Sequence, residues 1–329
     1  MTTEGPADTT YVIDAGARYG IHPSWADYQA PLQYHMFEAD PEESARLAEK
    51  YVLRNGSLHV HPLALGEAEG RMTLNILRHR GQSTRLQPNP GSVWFGKSRT
   101  GEGEVVGRYE ADMTTVDIFA AELGVDFDFL KSDTEGSELS ILTGAAQQLA
   151  GSILGVNAEV QFAEIYDGAP MFGDLHSFLQ SSGFALLNLE TCNLGSPVNS
   201  FYKSDWFGFL EAGEATWIKP FDRVVGLADS ELSVCASARK LSAFCFNQGA
   251  TDVAVQFMLD AARRFPDQWK VGEETALSRY LDTLIQSLFK ELGSHLAYDQ
   301  DELDAVYWEI FHKKRKKRHE FYEDPELNP

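Results

Sequence analysis

The stretch Tyr11-Val12-Ile13-Asp14-Ala15-Gly16-Ala17-Arg18-Tyr19-Gly20 constrains the fold more than any other part of the chain. A short apolar run that ends on an acid and passes directly into a glycine turn is how the first strand of an open α/β sheet hands over to a helix. A second short strand reads Tyr34-His35-Met36-Phe37 and stops at Glu38, after which Pro41 opens a helical stretch from Glu42 to Tyr51. Leu58 to Leu65 predicts a third strand, interrupted by Pro62. Strand, turn, helix and strand in this rhythm favour a parallel sheet.

Residues 66–110 break the rhythm with closely spaced glycines and β-leaning pieces at Arg71–Leu77 and Glu104–Tyr109, which predicts a hairpin-bearing insertion with a lid-like loop. The rhythm then resumes. A helix is expected over Val116–Leu123, a strand over Phe127–Lys131 and a helix over Ser137–Leu149. A strand over Ile153–Phe162 and a helix containing Leu175–Gln180 follow, then closing strands at Gly183–Leu187 and Trp206–Leu210. From about residue 222 only helical spacing remains, in Leu232–Asn247, Asp252–Arg264, Glu274–Leu292 and Glu302–Lys317. The expected organisation is an α/β domain over 1–220 and an all-α accessory domain over 221–329.

Three groups of residues carry chemistry. The turn Asp14-x-Gly16-x-Arg18-x-Gly20 lets a ligand approach backbone amides at a helix start, but Arg18 stands where a dinucleotide enzyme places a glycine against a pyrophosphate. An acid at the strand end also suits an ammonium better than a phosphate. Both features point to S-adenosylmethionine (SAM), which has an ammonium, a sulfonium and no phosphate. Glu38 follows Gly16 at the ~20-residue spacing at which an acid accepts hydrogen bonds from ribose hydroxyls, so it and Ala39 fit any adenosine-containing ligand.

In Leu130-Lys131-Ser132-Asp133-Thr134-Glu135-Gly136-Ser137-Glu138 a strand ends in acids and a helix start, at the sheet edge where open α/β proteins bind ligands. Asp133 and Glu135 are read as functional, able to hold a sulfonium or take a proton, and Glu138 as a helix-start charge. Glu159, inside an otherwise apolar strand, is either a second candidate base or the partner of Lys131. His22 is an additional candidate. Mg²⁺ is compatible with several acids near one site, but no ligand spacing demands a metal.

Composition narrows the classes further. With 28 Lys+Arg against 49 Asp+Glu the net charge is −21, which argues against sequence-blind nucleic-acid binding. Cys192, Cys235 and Cys245 show no CxxC spacing, so neither a disulfide framework nor a zinc site is indicated. No apolar run is long enough for a membrane span, and the N-terminus lacks a basic segment followed by an apolar one, so a reduced, cytoplasmic setting is expected. The basic run Lys313–Arg318 reads as a solvated helix end against an acidic surface rather than as a contact for membrane or nucleic acid.

The run from Phe129 to Ala145, then Glu159-Val160-Gln161-Phe162 and Ile165-Tyr166, together with Phe37-Glu38-Ala39-Asp40-Pro41 and Pro62-Leu63-Ala64-Leu65-Gly66, resembles the FkbM family of SAM-dependent methyltransferases. The resemblance covers the first 215 or so residues and says nothing of the helical region. It implies a Rossmann-like class I methyltransferase fold and transfer of methyl to a hydroxyl, often on a sugar or polyketide-type metabolite. It places Asp14, Gly16 and Gly20, with Ala17 and Arg18 between them, around the methionine part of the cofactor. Glu38 would lie on the ribose, Leu65 near the adenine, and Asp133 and Glu135 would face the methyl-transfer region. Two other classes stay open on the residues alone: an NAD(P)-dependent oxidoreductase and a non-catalytic adenosyl-binding protein. The helical region is expected to cap the site, form a homodimer or recruit a partner.

Overall fold

In a computed structural model the described residues are 9–26, 28–95, 101–195, 209–271 and 275–294. They fall into two compact units, one formed by Thr10–Ala26 and Leu32–Pro220, the other by Asp27–Pro31 and Phe221–Pro329 together with the N-terminal residues.

The first unit is built as expected of an α/β chain. β1 (Thr10–Ala15), α1 (Pro23–Ala26), β2 (Leu32–Phe37), α2 (Pro41–Lys50) and β3 (Gly56–His61) come first. The insertion follows with β4 (Ala64–Leu65), β5 (Gly70–Leu77) and β6 (Val105–Thr114), then α3 (Val116–Leu123) and β7 (Phe129–Ser132). The unit closes with α4 (Glu138–Thr143), α5 (Ala146–Ala150), β8 (Gly155–Gln161), α6 (Phe172–Ser181), β9 (Ala185–Gly195) and β10 (Phe209–Ile218). Seven strands form one sheet in the order β3-β2-β1-β7-β8-β10-β9. Its neighbours pair in parallel except for β10, which runs antiparallel to both β8 and β9. Ile13, Phe37, Leu130, Val156, Val160 and Trp217 form an apolar core with residues of the helices, such as Ile141 and Leu175.

Strand order reverses direction at β1, between β2 and β7, and such a reversal opens a crevice beyond the carboxyl ends of the strands. The insertion stands beside it. β4, β5 and β6 form a separate three-stranded sheet, so Pro62 divides the expected third strand between two sheets.

Two further expected elements differ. The helix over Ser137–Leu149 is two helices that part at Gly144 and Ala145; Gly144 lies so close to Gly66 that a Cβ on it would sit 2.0 Å from the Gly66 carbonyl oxygen. The last strand is Phe209–Ile218 rather than Trp206–Leu210; residues 206–208 lie outside the described set.

In the second unit the secondary structure among the described residues is helical: α7 (Phe221–Leu227), α8 (Glu231–Asn247), α9 (Thr251–Arg264), α10 (Pro266–Val271) and α11 (Ala276–Ser294). Ser230 caps α8 by accepting from the Ser233 N–H, and the buried Arg239 guanidinium lies 4.0 Å from the Trp269 ring centroid, a cation–π contact that lets a charge sit in this core. Glu302–Lys317 and the run Lys313–Arg318 lie outside the described residues. Among the described residues no helix is long and apolar enough to cross a membrane.

Candidate active site

A cavity of about 290 Å³ opens at the carboxyl ends of β1, β2, β7 and β8. Its floor is the glycine turn. Gly16 has φ +77° and its N–H donates to the Phe37 carbonyl at 3.0 Å, while a Cβ there would stand 1.8 Å from the Asp133 carbonyl oxygen. Only glycine tolerates both the left-handed backbone and that approach. Gly16→Ala is therefore expected to cost about 2 kcal/mol of stability and to push the Asp133 loop outward. Thermal unfolding reads the first effect, and an unchanged melting temperature would refute this account of the turn.

Glu38, at the tip of β2, is buried, lines the cavity and accepts from the Asp40 N–H at 2.9 Å through Oε1. Burial is the main reason its carboxyl is pushed up to about 7; the Asp40 N–H bond and the nearby Arg18 guanidinium pull the other way. Asp40 in turn caps α2, accepting from the Glu42 and Glu43 N–H groups, and its other oxygen meets Arg18 Nη1 at 3.4 Å. Arg18 is thus held beside the cavity by Asp40 and Glu43. Phe37, Leu63, Ala64, Leu65, Met72 and Leu74 supply an apolar wall.

Opposite stands a cluster of acids. One carboxylate oxygen each from Asp133, Glu135 and Glu159 lie within 4.8 Å of one another, a donor set a divalent cation could share although their spacing in the sequence demands no metal. Glu135 adopts φ +57°, strained for a residue with a side chain, and its carboxylate accepts from the Tyr166 hydroxyl at 2.6 Å. Glu159 Oε2 is buried without a hydrogen-bond partner. Burial first, then the charges of Glu135, Asp133 and Glu138, hold the Glu159 carboxyl well above the usual carboxylate range. Glu138 closes the turn beneath, accepting from Thr134 N and Oγ1 and from Gly136 N.

Gly16, Arg18, Glu38, Ala39, Leu65, Asp133, Glu135 and Glu159 all line this one cavity. Asp14, Ala17 and Gly20 do not. Asp14 is completely buried, accepts from the Tyr34 hydroxyl at 2.7 Å and pairs with Lys131 Nζ at 3.1 Å, so protein groups meet its carboxylate. The register sets Asp14 beside Lys131, whose charge also acts on Glu159. Burial opposes the Lys131 charge, but Asp14 and Asp133 outweigh it and hold the ammonium above its ordinary range. Ala17 is packed away, and Gly20 closes the turn onto the Ala17 carbonyl. His22 lies outside the cavity lining, with Nε2 3.3 Å from Glu214 and Nδ1 2.7 Å from the Ser24 hydroxyl.

The insertion adds what sequence reasoning did not single out: the short 3₁₀ turn Arg80–Gln82, its neighbours His79, Ser83 and Arg85, and Trp94. Its glycine-rich texture signalled a binding loop but not which side chains it delivers.

The sequence profile of the methyltransferase FkbM domain matches residues 14–186. No curated protein matches the chain. Among solved structures, the methyltransferase FkbM from Methylobacillus flagellatus KT is similar over 64% of this chain at 16% identity and a TM-score of 0.32, and this chain spans 44% of its length. Magnesium protoporphyrin IX methyltransferase from Synechocystis PCC 6803, solved with bound SAM, is similar over 66% of this chain and 73% of its own at 10% identity and a TM-score of 0.34.

Proposed function

The chain belongs to the FkbM methyltransferase family, and from that premise we propose that it methylates a hydroxyl of a small molecule or glycan with SAM as donor. The observation that carries the reading is a single cavity with Glu38 and an apolar wall on one side and three carboxylates on the other. That lining fits the cofactor part by part. Glu38 would hold the ribose hydroxyls and Leu63, Leu65, Met72 and Leu74 the adenine, while Asp133 and Glu135 would face the cationic end. Because Asp14 is consumed by Tyr34 and Lys131, the methionine ammonium falls to groups that line the cavity.

When bound, SAM supplies a methyl activated by its sulfonium. The protein's own task is to align an acceptor hydroxyl with it and exclude water. Glu159 is our candidate for the group that takes the hydroxyl proton: its carboxyl is raised by burial and like charges, which makes its ionised form a stronger base. Turnover is then expected to rise with pH through that raised value. Glu159→Gln should lower turnover about tenfold and remove the acid limb of the pH profile. If Glu159→Gln and Asp133→Asn both retain wild-type turnover, neither carboxylate is the base.

A further inference from the structure

A second cavity, about 230 Å³, adjoins the first and shares Trp94, Asp133 and Glu159 with it. Its remaining lining is Lys131, Asn157, Glu190, Ala212, Gly213 and Glu214. The strand register makes this lining unusual. Glu159 on β8 lies directly opposite Glu214 on β10, and Glu214 directly opposite Glu190 on β9. Three glutamates therefore form a ladder across three adjacent strands, at separations where like charges destabilise a sheet. His22 meets one oxygen of Glu214, and the Lys131 ammonium is shared between Asp14 and Asp133.

A second observation is the Asn157 side chain, which also hydrogen-bonds Glu214. Asn157 lines the same cavity and is 4% exposed; its amide nitrogen donates to Thr216 Oγ1 at 2.9 Å, and its Oδ1 is buried without a partner. An unmet amide oxygen, an unmet Glu159 oxygen and two further carboxylates, Glu214 already meeting His22 and Glu190 accepting from Asn188, outnumber the Lys131 ammonium in this lining, so the cavity suits a ligand that donates. Trp94 at the junction adds a π-face of the kind that holds sugar rings and ammonium groups.

We infer that this cavity is the acceptor subsite and that it selects a polyhydroxyl compound carrying a protonated amine, with the ammonium against Glu214 and Glu190 and the hydroxyl to be methylated at Glu159, where the cavities meet. The inference rests on the methyltransferase reading for the word acceptor, but charge selection can be tested apart from it. S-adenosylhomocysteine affinity is measured first. Glucosamine, glucose and glucose 6-phosphate are then titrated calorimetrically into the loaded protein and into the protein alone; these probes share one ring and differ in charge. Glucosamine is expected to bind about tenfold tighter than glucose, the worth of one charge-assisted hydrogen bond, with the phosphate weakest. Glu190→Gln combined with Glu214→Gln should bring glucosamine and glucose to parity and leave S-adenosylhomocysteine affinity unchanged, since neither residue lines the first cavity. Glucose or the phosphate binding as tightly as glucosamine, no binding of any probe, or a preference that survives the double variant would overturn the inference. Failure to bind S-adenosylhomocysteine would instead count against the cofactor reading, and the titrations of the protein alone would still decide the charge selection.

Discussion

Replacing Glu38 by Ala is expected to weaken S-adenosylhomocysteine binding about 100-fold, the loss of two hydrogen bonds from a carboxylate to paired hydroxyls at somewhat over 1 kcal/mol each. The carboxylate is presented by packing and not by a mobile loop: it is buried, tied to the Asp40 N–H, and fixed by the capped start of α2. Its pH dependence is an independent signature. Burial holds the free carboxyl at about 7, and hydroxyl donors favour the charged form, so affinity should fall as pH drops below about 7 and level off above it. Calorimetry of wild type and variant across pH 6 to 8 reads both effects. An affinity within threefold of wild type, or a flat pH profile, would remove Glu38 from the ribose site.

The second large effect concerns stability in acid. His35, His59 and His61 stack across β2 and β3, with centroids 4.6 Å apart for His35–His59 and 5.3 Å for His35–His61. His35 Nδ1 lies 3.1 Å from His61 Nε2, which accommodates one proton between neutral rings but not two imidazolium charges. Burial first, then the neighbouring imidazoles, pull His35 down to about 3 and His61 to about 4. In the unfolded chain both take up protons near 6.5. The unfolded state therefore binds more protons over that interval, and stability is lost as pH falls from about 6.5 toward 4. Discounted for partial solvent access, the loss is on the order of 3 kcal/mol. Glu38, Glu138 and Glu159 are raised by burial and act in the opposite sense, so the comparison must be with a variant. His35→Phe keeps an aromatic ring beside Phe119 and Phe127 and cannot be protonated. Urea unfolding from pH 7 to pH 4 should show a shallower loss for it; an identical slope would exclude the histidine stack as the acid-sensitive element.

What could be read from the chain was local. The glycine turn, Glu38 at its spacing, and the acids after β7 are each set by a few consecutive residues, and the fold gathers all of them at one cavity. What could not be read depended on register and facing. That Asp14 ends a strand is legible in the sequence; that pairing β1 with β7 sets it against Lys131 is not. β10 escapes the periodicity because Glu211 and Glu214 interrupt its apolar pattern, and hydrophobic periodicity fails where a strand carries a polar side chain such as Glu214 into a site. The glutamate ladder is invisible in sequence for the same reason: Glu159, Glu190 and Glu214 become neighbours only through the β8-β10-β9 order. Gly144 was the visible weak point of the helix expected over Ser137–Leu149, but its close approach to the Gly66 carbonyl could not be read from the sequence.

We propose that the cavity beyond β1, β2, β7 and β8 is an adenosyl site suited to a cation and not to a pyrophosphate. Calorimetric titration of the wild-type protein with S-adenosylhomocysteine, SAM and NAD tests it most directly. The two methionine-derived ligands are expected to bind and NAD is not. Binding of NAD with silence from the other two would contradict it.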